Sequence, residues 1–166
     1  MVRAPARGYR MKVGKRRRWH RVLIPWRKGC GLHVFNVYGW TGTGAKELEA
    51  MEIMIKDIHD EIGMLGNVPW VAGGDWNRTP KEASPWWNGV GEVCSTGQPT
   101  QQHGRELDWF VVAEGLGQRP QTVETGPMPD HWAVVMDIPG FKDINLGMRL
   151  RRPKTCLLYT SPSPRD

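Results

Sequence analysis

Residues 31–39, GLHVFNVYG, and residues 70–77, WVAGGDWN, frame the part of the sequence that decides the fold. The first stretch is rich in β-branched and aromatic residues and ends in a glycine turn, and residues 70–73 form a short apolar run, so both are predicted strands. Between them, apolar residues recur at spacings of three and four, which predicts an amphipathic helix of about 20 residues. They are Leu48, Met51, Ile55, Ile58, Ile62 and Leu65. A strand, a helix and a strand form a βαβ unit, so the two strands are predicted to be parallel neighbours.

Three more apolar runs, at residues 21–26, 107–113 and 132–138, are predicted strands. The stretch between Thr79 and Gly104 is rich in Pro, Gly, Ser and Trp and is predicted to be mostly loop. Together these elements predict an α/β (α+β) domain. No apolar run approaches the about 18 residues that span a bilayer, so no membrane partner is expected. No secretory signal is recognisable and the three cysteines are widely separated, which favours an intracellular location, nuclear or cytoplasmic.

The net charge of +6 is unevenly distributed along the 166 residues. Residues 1–46 contain 12 Lys and Arg and no acid, whereas residues 47–141 contain 15 acidic and 5 basic residues. A basic end is commonly a solvated tail, but a run such as Arg16, Arg17 and Arg18 also attracts the phosphate backbone of nucleic acid without reading its sequence. Both interpretations stay open.

Polar residues follow the predicted strands at four places: Asn36, the pair Asp75 and Asn77, Asp108, and the pair Asp130-His131. Each is ordinary when taken alone, because Asn and Asp are common turn formers and a single His is more often structural than catalytic. Asp108 is different, since an acid inside an apolar strand must be paired or hydrogen-bonded. Substrate sites in α/β sheets are built at strand ends, so the set indicates a site.

The order of these motifs resembles the endonuclease/exonuclease/phosphatase family, the DNase I-like metal-dependent phosphoesterases. The matching segments are NVYG at 36–39, GGDWN at 73–77, PT at 99–100, RELDWFVV at 105–112 and PDHWAVVMDI at 129–138. The resemblance implies a DNase I-like four-layer α/β/β/α sandwich. Residues 20–140 would supply mainly its second sheet and the helices that cover it.

The resemblance also implies roles for the polar residues. Asp75 would orient and deprotonate the attacking water, and Asn36 and Asn77 would hold the phosphate. His131 would donate to a phosphoryl oxygen while Asp108 fixes its tautomer and raises its pKa. Asp130 would help to hold a divalent ion, Mg²⁺ by its preference for oxygen ligands, with Mn²⁺ as an alternative.

The expected function is therefore metal-dependent hydrolysis of nucleic acid, of DNA rather than RNA, by an endonuclease similar to those of LINE-like retroelements. The family's metal-binding Glu, which follows Leu-Gln at a strand end, has no counterpart in this sequence. The chain is therefore expected to have impaired activity. Two alternatives are a phosphatase or phospholipase of the same family acting on inositol phosphates or lipids, and a non-catalytic remnant that binds nucleic acid.

Nine tryptophans are present, and most are expected in the core because each buries a large area. Trp86 and Trp87, predicted to lie in a loop beside Asp75 and Asn77, are candidates either for the core or for stacking on an unpaired base.

The ends of the chain are interpreted separately. Residues 1–19 are predicted to be a basic N-terminal segment and residues 141–155 a basic linker. Residues 156–166, CLLYTSPSPRD, resemble a translated sequencing-library adaptor and are left out of the fold prediction.

Overall fold

The computed structural model of the protein describes residues 12–14, 18–25, 31–116, 120–123 and 130–138. The predicted linker at 141–155 and the segment 156–166 lie outside the described residues. No helix within these ranges is both long enough and apolar enough to cross a membrane. The strands are β1 (Lys12–Val13), β2 (Trp19–Pro25), β3 (Gly31–Tyr38), β4 (Trp70–Asp75), β5 (Glu92–Cys94), β6 (Asp108–Val112), β7 (Gln121–Val123) and β8 (Ala133–Val135). The helices are α1 (Ala45–Leu65) and α2 (Pro80–Trp87).

Six strands form one sheet in the order β1-β2-β3-β4-β6-β5, and β7 pairs with β8 in a second, two-stranded sheet. The pairing of β3 with β4 is parallel, which confirms the predicted βαβ unit. The neighbouring pairs β2–β3 and β4–β6 are antiparallel. Strand β1 pairs with β2, so sheet structure extends into the segment predicted to be a basic N-terminal extension.

Helices α1 and α2 pack on one face of the large sheet. Phe35 and Val37 of β3 join Met51 and Ile58 of α1 and Trp87 of α2 in a single buried cluster. Burying each such side chain contributes about 1.5–3 kcal/mol, so this layer holds the sheet in one register. The prediction that Leu48 lies on the buried face of α1 is wrong, because its side chain is 39% exposed.

The region between Thr79 and Gly104 is not mostly loop, because it contains α2 and β5. Thr79 and Glu82 form a capping box: the Thr79 amide donates to Glu82 Oε2 at 2.8 Å, and the Glu82 amide donates to Thr79 Oγ1 at 3.4 Å. Pro80 occupies the first turn, where its missing N–H costs nothing. These local signals outweigh the Pro- and Ser-rich composition.

We predict opposite effects for two glycine substitutions. A β-carbon on Gly39 would overlap the carbonyl oxygen of Trp76, whereas one on Gly63, in the last turns of α1, meets no atom within 4 Å. Gly39→Ala is expected to lower the free energy of unfolding by about 1–3 kcal/mol through overpacking. Gly63→Ala is expected to raise it by about 0.5–1 kcal/mol through helix propensity. Urea unfolding measures both, and a Gly39→Ala variant as stable as the parent would contradict the close approach.

Candidate active site

The ends of three neighbouring strands meet at one edge of the large sheet. Tyr38, the last residue of β3, is the register partner of Asp75 in β4, and Asp75 is in turn the partner of Asp108 in β6. Phe35 and Val37 point into the core under the helices. Because side chains alternate along a strand, Asn36 and Tyr38 point to the opposite face. The predicted site residues of β3, β4 and β6 therefore share one face of the sheet.

His131 contacts Asp108 directly. Its Nδ1 lies 2.7 Å from Asp108 Oδ2, and both side chains are partly buried. A carboxylate only accepts hydrogen bonds, so Nδ1 carries the proton and Nε2 is left to act on a substrate. Burial lowers the pKa of His131, but the hydrogen bond and charge of Asp108, with the charges of Asp75 and Asp130, outweigh it and raise the pKa above its ordinary value.

Thr100, which is not among the residues predicted for the site, holds this pair in place. Its fully buried hydroxyl donates to Asp108 Oδ2 at 2.9 Å and accepts from the amides of Leu107 and Asp108. Its carbonyl oxygen accepts from the Trp132 amide at 2.9 Å, next to His131. Thr100 thus joins the segments that carry the two members of the pair.

Asp75 and Asn77 form both a turn and part of the site. The Asn77 amide donates to Asp75 Oδ1 at 2.9 Å, and Asn77 has a positive φ of 53°, which Asn tolerates better than most residues. Its side-chain Nδ2 donates to the carbonyl oxygen of Gly39 at 3.2 Å. Burial raises the pKa of Asp75, and the charge of Asp108 adds to this effect, against the opposing hydrogen bonds of Asn77 and the charge of His131. A carboxylate with a raised pKa is a stronger proton acceptor.

Asn36, Asp108 and His131 line one groove of about 450 Å³ on the face of the sheet opposite the helices. The groove floor includes Gly73 and Phe110, which are register partners. A β-carbon on Gly73 would overlap the Phe110 ring, so the glycine allows that ring to lie across β4. The groove therefore has a polar end at Asp108 and an apolar floor beside it.

The structure does not assemble a metal site from the described residues. Within those ranges no group of three His, Cys, Asp or Glu side chains is positioned to hold a metal ion. Asp130, predicted as a metal ligand, is exposed, and its backbone oxygen accepts from the Gln102 amide at 3.3 Å. The donors among the described residues do not fit Mg²⁺ on their own, so the role of Asp130 stays a prediction.

The predicted nucleic-acid contacts have different outcomes. Arg16 and Arg17 lie outside the described residues, while Arg18 lies over the rings of Tyr38 and Trp40. The prediction that Trp86 and Trp87 lie in a loop is wrong, because both belong to α2. Trp87 is 1% exposed and packs edge-on against Trp76, with ring centroids 5.5 Å apart, so it has no face free for a base. Trp86 is partly buried against the same core.

The fold is similar to several solved structures at low sequence identity. CdtB, the biologically active subunit of cytolethal distending toxin, gives a TM-score of 0.50 at 17% identity, covering 69% of this chain and 50% of that chain. Beta toxin from Staphylococcus aureus gives 0.53 at 16% identity, covering 74% and 51%. Sphingomyelinase C from Streptomyces griseocarneus gives 0.51 at 12% identity, covering 64% and 47%. The chain thus has a DNase I-like fold, as predicted.

The chain spans about half the length of these structures. No protein-family model matches the sequence, and no curated protein matches it significantly. The similarity therefore establishes the architecture, and the chemistry must be argued from the site.

We predict that His131 titrates above about 6.5, the ordinary histidine pKa. Asp108→Asn should lower the His131 pKa, because it removes the negative charge beside Nδ1. The stabilisation from this pair is present at low pH and is lost as the pH rises through the raised pKa. NMR titration of the imidazole Cε1–H signals measures the value. His59, whose pKa is lowered by burial, is the internal reference. A His131 pKa that is unchanged in Asp108→Asn would contradict the pairing.

We predict that Thr100→Val lowers the free energy of unfolding by about 1–3 kcal/mol, because two backbone amides lose their acceptor. Thr100→Ser keeps the hydroxyl and should retain most of the stability. Amide hydrogen exchange at Leu107 and Asp108 should accelerate in Thr100→Val only. Equal exchange in the two variants would show that the hydroxyl does not brace this segment.

Proposed function

We propose that the chain carries the proton-transfer and phosphate-binding half of a phosphodiesterase that hydrolyses nucleic acid. The observation that carries this proposal is the Asp108–His131 contact of 2.7 Å beside Asp75, across neighbouring strand ends. The order of the sequence motifs and the DNase I-like fold support membership of the endonuclease/exonuclease/phosphatase family. Origin in a LINE-like retroelement and an intracellular location belong to the same proposal and rest on the sequence alone.

Hydrolysis of a phosphodiester needs an activated water and donors to the phosphoryl oxygens. Asp75, whose pKa is raised, would orient the water and accept its proton as the water oxygen bonds to phosphorus. The bond from phosphorus to the leaving oxygen would break in the same displacement, and the leaving oxygen would take up a proton from solvent. His131, held through Nδ1, would donate from Nε2 to a non-bridging oxygen. Asn77 donates one amide hydrogen to Gly39, which leaves its second for the phosphate, and Asn36 offers another amide from the groove wall.

A divalent metal ion would neutralise charge on the phosphoryl group when bound. Since the described residues form no metal site, we propose that its remaining ligands lie beyond them. The predicted Mg²⁺, or Mn²⁺ as the alternative, would then require both parts of the domain. This arrangement agrees with a chain that spans about half the length of the similar structures.

Nucleic acid is proposed as the substrate, with DNA preferred to RNA. The reason is that basic segments flank the acidic residues 47–141. Residues 1–46 contain 12 Lys and Arg and no acid. Such a distribution favours a polyanionic polymer over a lipid headgroup with a single phosphate.

Nicking of supercoiled plasmid tests the proposal. With Mg²⁺ or Mn²⁺ and stoichiometric protein, the chain should nick slowly at most, because the described residues alone form no metal site. His131→Ala and Asp75→Ala should reduce this residual rate to the background, since general acid–base groups typically contribute about 10²–10⁴-fold. His103→Ala, which removes an exposed histidine outside the site, should leave the rate unchanged.

Two results would contradict the proposal. Nicking that is unaffected by either site substitution would show that the assigned residues are not catalytic. Hydrolysis of sphingomyelin or inositol polyphosphates without any nicking would favour the lipid or inositol phosphate alternative.

A further inference from the structure

Arg18 is held by two aromatic rings at the edge of the sheet. Its guanidinium carbon lies 4.1 Å from the centroid of the Trp40 ring and 5.0 Å from that of Tyr38. Its Nη1 donates to the carbonyl oxygen of Gly39 at 3.4 Å. These three contacts are with two rings and a backbone carbonyl, and Asp57 and Asp60 of α1 line a cavity together with Arg18. A guanidinium stacked on aromatic rings keeps hydrogen-bond donors along its edge, which is the geometry that binds phosphate.

The carbonyl oxygen of Gly39 connects Arg18 to the candidate active site. It also accepts from Asn77 Nδ2 at 3.2 Å, so the guanidinium and the amide lie within two hydrogen-bond lengths of each other. The Gly39 amide donates to the carbonyl oxygen of Asp75 at 2.7 Å. Two side chains of types that bind phosphate, Arg18 and Asn77, therefore donate to the same backbone carbonyl next to Asp75, the proposed general base.

Arg18 lies at the opposite end of this row of strands from His131. It precedes β2, and the sheet order places β3 and β4 between β2 and β6, which carries Asp108. Adjacent strands are about 4.8 Å apart, so the axes of β2 and β6 are separated by about 14 Å. A nucleic-acid strand, which carries successive phosphates, can contact both ends of this row.

We propose that the Arg18 guanidinium, which lies beside Asn77, forms a second phosphate subsite that holds a neighbouring phosphate of a nucleic-acid strand while the reacting phosphate lies at Asn77 and His131. This inference rests on the proposed function and makes it more specific. Arg18 is separated in role from the rest of the basic run, because the rings of Tyr38 and Trp40 fix its direction. The subsite selects a phosphodiester polymer and gives no advantage to a lipid headgroup with one phosphate.

The test is the salt dependence of binding to a fluorescent DNA duplex, measured by anisotropy with the 166-residue chain and no metal added. Arg18→Gln should weaken binding several-fold and reduce the slope of log K against log salt by about one, the value for one lost phosphate contact. Arg18→Lys should keep most of the slope while binding more weakly, because it retains the charge but not the planar stacked geometry.

Arg105→Gln is the matched control. It removes the same charge from an exposed arginine that is paired with Glu82 at 3.5 Å, and the slope should stay at the parent value. Circular dichroism establishes that each variant is folded.

Each alternative result has a definite meaning. A parent chain without salt-dependent binding to the duplex would overturn the proposed nucleic-acid function itself. Parent-like slopes for Arg18→Gln, or equal losses for Arg18→Gln and Arg105→Gln, would overturn only the subsite. Binding to sphingomyelin vesicles that depends on Arg18 would show that the same donors serve a lipid headgroup, and would overturn the proposed selectivity.

Discussion

The parallel pairing of β3 with β4 is the constraint on which the rest of the site depends. It places Tyr38 beside Asp75. The Gly39 amide donates a hydrogen bond to the Asp75 carbonyl oxygen at 2.7 Å, which extends the pairing by one residue beyond β3. Strand β6 then brings Asp108 beside Asp75 from the other side. A slip of one residue would turn these carboxylates toward the helices. Gly39 has no replacement here, because a β-carbon would overlap the carbonyl oxygen of Trp76.

The same strands contribute to both the core and the candidate site, because successive side chains point to opposite faces of the sheet. Trp76 lies between Asp75 and Asn77 in the sequence, yet its ring is fully buried and stacks on Trp109 with centroids 4.5 Å apart. Trp76 Nε1 donates to the Trp109 carbonyl at 2.9 Å. Asp75 and Asp108 are therefore each followed in the sequence by a tryptophan that is fixed in the core. Tryptophan therefore suits positions next to the acids of the candidate site, because its burial fixes the backbone from which the acids project.

The βαβ unit and the polar residues at the strand ends could be predicted, because the spacing of apolar residues and the order of the strands can be read directly from the sequence. The role of Thr100 could not, since it consists of hydrogen bonds to Asp108, Leu107 and Trp132 that exist only after folding. Helix α2 was not predicted, because its Pro- and Ser-rich composition is typical of a loop. The spacing of Thr79 and Glu82, which form a capping box, does indicate the start of a helix. The metal assignment of Asp130 depended on residues that the described part of the chain does not bring together.

The charge of Asp108 acts on the two groups to which the proposed mechanism assigns proton transfer. Asp75 must lose its proton to act as a base, and His131 must keep its proton to act as an acid. The charge of Asp108 contributes to raising both pKa values, because it opposes ionisation of Asp75 and favours protonation of His131. The charge of one carboxylate thus acts on both pKa values in the same direction. Asp108 is therefore more than a support for the imidazole, since in the proposed mechanism it would also strengthen the neighbouring base.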